Sequence, residues 1–266
     1  MADSAVPLPF MDVRMPRNAA DDVPAVLIHG WASGSVYWEP LAGKLLDDGR
    51  PAWILDLPGY HPGEELPGHH EWTLDSAAAS VAAALDARGT GPVHLVGHSM
   101  GGSVSLTLAA ARPELVATVT LVGMVPAPPN EGFKNLLVSQ LEQGFFDAGT
   151  RAKLMNAWYG ELAGDEMEQL SKGFDAPFEV LAASALAAMT GVEPSVPGRV
   201  HAPLLVIAGT ADRVRSIDHM AAFVDAGPHR HLKAIPGAGH SVHWEQPQEC
   251  ADTLHEFWRT SWPPPA

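Results

Sequence analysis

A serine lies between two glycines in the segment VHLVGHSMGGS, residues 93–103. An apolar run typical of a buried strand ends at Gly97, and the small-residue stretch SMGGSVSLTLAAA that follows is typical of a helix. A sharp strand-to-helix turn forces its middle residue into a strained backbone conformation and exposes its side chain. Glycines flank such a turn because a Cβ atom there would clash across it. The pattern indicates Ser99 as a candidate nucleophile, although a serine in an ordinary tight turn fits the same letters.

A serine hydroxyl becomes a good nucleophile only when a base takes its proton, so a histidine is needed. The chain has 13 histidines. His61, His69 and His70 lie in a Pro/Gly-rich loop ahead of the serine and lack a metal-ligand spacing such as HExxH. His29 ends a predicted strand and His94 lies within one, where a structural role is expected.

His240, in PGAGHSVHWEQP, is the best-placed base because it follows the last predicted strand. Loops at the carboxyl edge of a parallel sheet meet there, within reach of Ser99. His243, three residues later, remains its main rival. Asp212, in AGTADRV, follows the preceding strand and is the best candidate for the carboxylate that orients the histidine. Asp218 is a weaker candidate, and Asp212 could instead cap the next helix.

Short apolar runs separated by helical patterns predict an α/β layer fold with a mostly parallel central sheet. The runs are 25–29, 52–56, 93–97, 117–123, 203–209 and 231–236. An apolar stripe from Leu74 to Leu85 predicts a helix that ends at Gly89. Residues 127–198 break the alternation and read as helices. We therefore expect a core domain of residues 1–126 and 199–266 with a helical insertion between them.

The segments HGWASGSVYW, DLPGY, GHSMGG, GTADRV and GAGH follow one another in this order. Over essentially its whole length, the chain resembles the α/β-hydrolase-fold serine hydrolases, whose triad has the order Ser99, Asp212, His240. The resemblance implies that backbone N–H groups of Trp31 and Met100 form the oxyanion hole. It also implies that the helical insertion is a cap over the active site, and that no cofactor or metal is required.

Two departures from the family pattern are visible. The family usually has a longer β-hairpin before the first long strand, whereas LPFMDVRMP supplies one strand. A serine at the turn, in place of aspartate, argues against epoxide hydrolases and haloalkane dehalogenases, which attack with a carboxylate. A serine nucleophile remains compatible with ester, lactone and related chemistry.

The expected function is hydrolysis of a small, largely apolar carboxylic ester or lactone through an acyl-enzyme intermediate. The apolar residues of the predicted cap favour such a substrate, and they are Phe133, Leu137, Phe145, Phe146, Trp158, Phe178 and Met189. Two alternatives stay open. One is a lyase of the hydroxynitrile-lyase kind or a C–C bond hydrolase that uses the same triad, and the other is a non-enzymatic ligand-binding receptor of the same fold.

The charge, the cysteine count and the length of the apolar runs limit the kinds of partner that the chain is expected to have. The chain has 16 Lys and Arg residues against 31 Asp and Glu residues, a formal net charge of −15, so a nucleic-acid partner is not expected. Cys250 is the only cysteine, which excludes an intrachain disulfide and a cysteine zinc cluster. No signal peptide is evident, and the longest apolar runs are too short to span a bilayer. A cytoplasmic protein without a membrane partner is expected, either a monomer or a dimer.

Overall fold

The computed structural model describes residues 6–17, 23–68, 70–127, 131–160 and 162–262. His69, one of the histidines considered above, lies outside these ranges. So do residues 128–130, near the start of the predicted cap, and residues 263–266.

Seven strands in the described residues form one sheet with the order β1-β3-β2-β4-β5-β6-β7. They are β1 Phe10–Arg14, β2 Ala25–Ile28, β3 Ala52–Asp56, β4 Val93–His98, β5 Val116–Val122, β6 Leu204–Gly209 and β7 Arg230–Ile235. β1 pairs antiparallel with β3, and all other neighbours are parallel. The predicted α/β fold is confirmed, and each of the six predicted runs matches a strand to within one residue at either end.

The central strands are buried on both faces of the sheet, which explains their continuous apolar sequence. β2 to β6 are buried along their whole length. Side chains alternate across a strand, so Val26 and Ile28 join one apolar cluster while Ala25 and Leu27 join another on the opposite face.

Helices cover both faces. Their bounds are α1 Glu39–Asp47, α2 Leu74–Arg88, α3 Met100–Ala111, α4 Glu131–Gln143, α5 Ala148–Tyr159, α6 Gly164–Ser171, α7 Phe178–Thr190, α8 Val196–Arg199, α9 Ile217–Asp225, α10 Val242–Glu245 and α11 Pro247–Ser261. α2 and α3 pack in the first cluster, and α1 and α11 pack in the second. α2 begins with a capping box between Thr73 and Ser76 and ends at Gly89 in the left-handed conformation, at φ 62°.

Five helices, α4 to α8, follow one another between β5 and β6. Their apolar residues, such as Leu137, Leu154 and Leu181, belong to the first cluster together with residues of the sheet. The helical segment therefore has no apolar core separate from that of the sheet. α8 lies in the segment EPSVPG and the residue after it.

The described residues contain no helix with both the length and the apolar character needed to cross a bilayer.

The end of β6 packs against the loop that carries His240, so we predict that Gly209→Ala destabilises the fold. A Cβ atom on Gly209 would lie 2.1 Å from the carbonyl oxygen of Gly239. Overpacking against backbone costs about 1–3 kcal/mol or more of unfolding free energy. Urea unfolding measures the change.

Gly43→Ala is the matched control for that variant. Gly43 lies exposed in α1, and a Cβ atom there would meet nothing within 4 Å. Alanine should stabilise this helix by up to about 1 kcal/mol. Equal effects of the two substitutions would contradict the close approach at Gly209.

Candidate active site

Ser99 lies between β4 and α3 with φ 49° and ψ −117°. A positive φ is uncommon for a residue with a side chain and needs support from its surroundings. The backbone N–H of Ser99 donates to the carbonyl of Val122 on β5, at 3.1 Å, and the carbonyl of Ser99 accepts the N–H of Gly102, at 2.9 Å. The turn is held from both sides, and it leaves Ser99 partly exposed at the start of α3.

The glycines of this turn are required by close backbone contacts. A Cβ atom on Gly97 would lie 2.3 Å from the carbonyl oxygen of Gly101. One on Gly101 would lie 2.1 Å from the carbonyl oxygen of Ile28, on β2. Strand, turn and helix therefore cross too closely for any side chain at either position.

His240 and Asp212 form a buried pair. Asp212 Oδ2 accepts a hydrogen bond from His240 Nδ1 at 3.0 Å, and the side chains are 1% and 2% exposed. Asp212 Oδ1 accepts the backbone N–H groups of Val214 at 2.6 Å and Arg215 at 3.0 Å. Because Nδ1 carries the proton of this bond, Nε2 of the neutral ring is left as the acceptor.

Ser99, His240, Trp31 and Met100 all line one cavity of about 210 Å³, with Asp212 behind His240. Within the described residues, no hydrogen bond joins Ser99 Oγ to His240. As the first residue of α3, Met100 has a backbone N–H without an intrahelical acceptor. The positive end of the helix dipole lies at the same point and favours negative charge there.

The loop after β2 holds Trp31 firmly. Its ring is 6% exposed, and Nε1–H donates to the carbonyl of Leu181 in α7, at 2.8 Å. Ala32 has φ 50°, the same sign as Ser99. Asp56 supports the loop by accepting the backbone N–H of Ser35, at 2.5 Å.

The seven apolar residues of the helical segment differ in where they lie. Three of them line the cavity: Phe133, Leu137 and Trp158. Met189 lines a neighbouring cavity, and Phe145 is 55% exposed. Phe146 packs against Trp31, and Phe178 packs against Phe146.

His243 and Asp218 lie elsewhere. His243 is fully buried against Tyr37 and Trp38, and within the described residues neither of its ring nitrogens has a hydrogen-bond partner. It does not line the cavity. Asp218 is exposed in the first turn of α9. The Cys250 side chain is fully buried, and burial raises the pKa of its thiol to about 12.

Residues 25–253 match the Alpha/beta hydrolase family. The chain belongs to this family. A dihydrolipoyllysine-residue acetyltransferase component of an acetoin cleaving system from Pseudomonas putida is 30% identical over 249 residues, covering 89% of this chain and 63% of that protein. The chain thus spans less than two thirds of that relative's length.

Two further comparisons cover nearly the whole α/β hydrolase. A 2-hydroxy-6-oxononadienedioate/2-hydroxy-6-oxononatrienedioate hydrolase from Comamonas testosteroni is 26% identical and covers 86% of this chain and 85% of its own. The structure of a thermophilic esterase from Thermogutta terrifontis has a TM-score of 0.81 at 22% identity, covering 96% and 95% of the two chains. The family match shows the family, and the structural likeness shows the same fold.

A hydrogen-bond chain that the sequence did not reveal lies along the wall of the cavity that Ser99 lines. His98 Nε2–H lies 3.2 Å from the carbonyl of His240, to which it donates, and 3.3 Å from Tyr37 Oη. Tyr37 O–H donates to Ser241 Oγ, which donates to the carbonyl of Trp158 in α5, at 2.6 Å. We call these four residues, His98, Tyr37, Ser241 and Trp158, the Tyr37 network.

The Tyr37 network is uncharged. Burial lowers the pKa of His98 well below its usual value and raises the pKa of Tyr37 well above its own. Neutral groups behind His240 add no competing charge to the His240–Asp212 pair. Tyr37 and Ser241, which hydrogen-bond to each other within the Tyr37 network, are 204 residues apart, so no local sequence pattern indicates the network.

In the part of the chain that the structure describes, no three His, Cys, Asp or Glu side chains are placed to hold a metal ion.

Buried histidines make stability depend on pH. Burial lowers the pKa of His29, His98 and His243 below the unfolded value of about 6.5. As pH falls below about 6.5, the unfolded chain takes up protons that the folded chain does not, so the free energy of unfolding falls. The slope is up to about 1.4 kcal/mol per pH unit for each site.

We predict that His243→Leu has a shallower loss of stability between pH 6.5 and 5 than the wild type, measured by urea unfolding. Leu254→Ala, which removes buried apolar volume without removing a titratable group, should lower stability equally at each pH. Parallel curves for His243→Leu and the wild type would show that His243 is not buried as a neutral ring.

Proposed function

We propose that Ser99, His240 and Asp212 form a catalytic triad and that the chain hydrolyses a small, largely apolar carboxylic ester or lactone. One observation carries the proposal. Ser99, in a strained turn at a helix N-terminus, shares a largely apolar cavity with a histidine held by a buried carboxylate.

In this mechanism, His240 Nε2 takes the proton of Ser99 as Oγ attacks the substrate carbonyl carbon. Asp212 keeps the proton on Nδ1 and stabilises the imidazolium that forms. His240 then protonates the leaving alcohol, and water attacks the acyl-enzyme to release the acid and regenerate Ser99. A Ser99–His240 hydrogen bond that is absent without substrate is compatible with this role, because such bonds often tighten only in the complex.

The backbone N–H groups of Trp31 and Met100 would bind the oxyanion of the tetrahedral intermediate. Both residues line the cavity beside Ser99. The hydrogen bond from the Trp31 indole to Leu181 and the positive φ of Ala32 fix the loop that presents the first donor. Donors fixed in advance stabilise the developing charge without reorganisation, and losing one typically costs about 2.7–4 kcal/mol of barrier.

Helices α4 to α8 would act as the cap over this site. Residues from three of them, including Leu137 of α4, Leu154 of α5 and Ala185 of α7, line the cavity opposite Ser99. An apolar roof excludes water and favours a substrate that is apolar near its reacting carbonyl.

C–C bond hydrolysis is the second candidate, because the Comamonas testosteroni hydrolase covers most of this chain and is named for 2-hydroxy-6-oxo acids, which have no ester bond to hydrolyse. The same triad could serve it. Turnover of a vinylogous 1,5-diketone acid without ester turnover would favour it over ester hydrolysis. Ligand binding without turnover of either class would instead favour a receptor.

We predict that Ser99→Ala lowers kcat on para-nitrophenyl butyrate by at least about 10⁴-fold, because the nucleophile is lost. Asp212→Asn should lower kcat by about 10⁴-fold with the fold intact, because the histidine loses its orienting acceptor. Release of para-nitrophenol measures both.

Ser139→Ala is the control for these variants. Ser139 is exposed on α4 and does not line the cavity, so this variant should keep wild-type activity. If Ser99→Ala kept wild-type kcat, the triad proposal would be wrong.

A further inference from the structure

A second cavity, of about 600 Å³, adjoins the one that contains Ser99. The two share four lining residues, which are Ser103, Met124, Ala188 and Arg215. Ser103 lies one helical turn after Ser99 on α3, and hence on the same side of that helix. The second cavity therefore lies beside the first turn of α3, on the same side as Ser99.

The charge of this space is opposite to that of the protein as a whole. Arg213 and Arg215 line the first cavity, and Arg215 and Arg230 line the second. Among the described residues, no aspartate or glutamate lines either cavity, although the chain carries 31 acidic residues against 16 basic ones. Within an acidic protein, the charged side chains that line the two cavities are, among the described residues, all arginines.

The three arginines differ in what they do. Arg230 donates to the carbonyls of Phe223 at 2.8 Å and Pro197 at 3.1 Å, and its guanidinium lies over the Phe223 ring. It ties α8 and α9 to β7. Arg213 is exposed at the outer side of the site. Arg215 is the arginine at the junction of the two cavities.

Arg215 is placed by the same carboxylate that holds His240. Its backbone N–H donates to Asp212 Oδ1 at 3.0 Å. Its side chain is half-buried, and burial lowers the pKa of the guanidinium while the charge of Asp212 opposes that change. A guanidinium partly removed from water binds a carboxylate more strongly than an exposed one, and its planar fork fits both oxygens.

The proposed mechanism decides which half of the substrate enters the second cavity. His240 protonates the leaving alcohol, so the alcohol lies on the His240 side of Ser99. His240 does not line the second cavity, whereas Ser103 and Met124 do. The acyl chain would therefore enter the second cavity past Ser103 and Met124, with Arg215 where the two cavities adjoin.

We propose that Arg215 binds a carboxylate at the far end of the acyl chain, so that the substrate class is the monoester of a dicarboxylic acid. This inference rests on the proposed ester hydrolysis at Ser99 and specifies its substrate. The apolar first cavity would hold the reacting ester and the methylenes beside it, and Arg215 would hold the anionic end.

Matched substrates test the proposal. The charged set is the mono-para-nitrophenyl esters of adipic and pimelic acids, long enough that attack by their own carboxylate is slow. The neutral set is the same diacids with the second carboxyl as a methyl ester. Wild type should show a kcat/KM about 10- to 100-fold higher on the charged set, the effect of one charged hydrogen-bonded pair. Hydrolysis in the presence of Ser99→Ala gives the background rate.

Arg215→Gln should abolish this preference, mainly by raising KM on the charged set. Arg215→Lys should retain part of it, because the charge remains without the fork. Arg259→Gln, an exposed position on α11 that changes net charge equally, should behave as the wild type. Added salt should reduce the preference in the wild type.

The outcomes separate this inference from the proposed function. Ser99-dependent turnover of both sets at equal kcat/KM in the wild type would overturn the Arg215 proposal and leave ester hydrolysis standing. If neither set is turned over, ester hydrolysis fails. Binding of monomethyl adipate to Ser99→Ala, measured by calorimetry and lost on adding Arg215→Gln, would still support the carboxylate site in that case, and absence of binding would reject it.

Discussion

The close crossing of β4, the Ser99 turn and α3 is the constraint on which the site depends. A side chain at Gly97 or Gly101 would meet backbone oxygen at 2.3 or 2.1 Å. This contact brings α3 onto the sheet so tightly that Ser99 must take a positive φ. Because β4 lies in the middle of the sheet, β2 and β5 flank the turn, and β5 supplies the carbonyl that accepts the Ser99 N–H. Strain at one residue is stabilised by the packing of three strands and a helix.

The remaining groups are positioned by loops at the same edge of the sheet. Gly209 ends β6 against the carbonyl of Gly239, so the loop of Asp212 and the loop of His240 touch through backbone. The hydrogen bond between Asp212 and His240, at 3.0 Å, is therefore buried and lies between two loops in direct contact. Behind it, His98 and Tyr37 are neutral, so the Tyr37 network places no charge beside the pair. Such an arrangement favours one orientation of the His240 ring.

The fold could be predicted because its signals are local. Unbroken apolar runs indicated the buried strands, and flanking glycines indicated the Ser99 turn. The sequence favoured His240 over His243 by its place after the last strand, but it did not show what surrounds either ring. Both are buried, and they differ in their surroundings, since His243 packs among aromatic rings while His240 lines the cavity. The contacts of Tyr37 and the position of Arg215 depend on how distant segments meet, which no periodicity encodes.

Ser241 has a consequence for motion. It follows His240 in the chain, and its hydroxyl donates to the carbonyl of Trp158 at the end of α5. The Trp158 ring stacks on Phe174 and packs edge-on against Trp31. Any outward swing of α5 must therefore break a buried hydrogen bond at the residue next to the imidazole and separate these rings at the same time. Entry to the cavity by this route thus disturbs the residue that follows His240, while Asp212 still holds the ring itself.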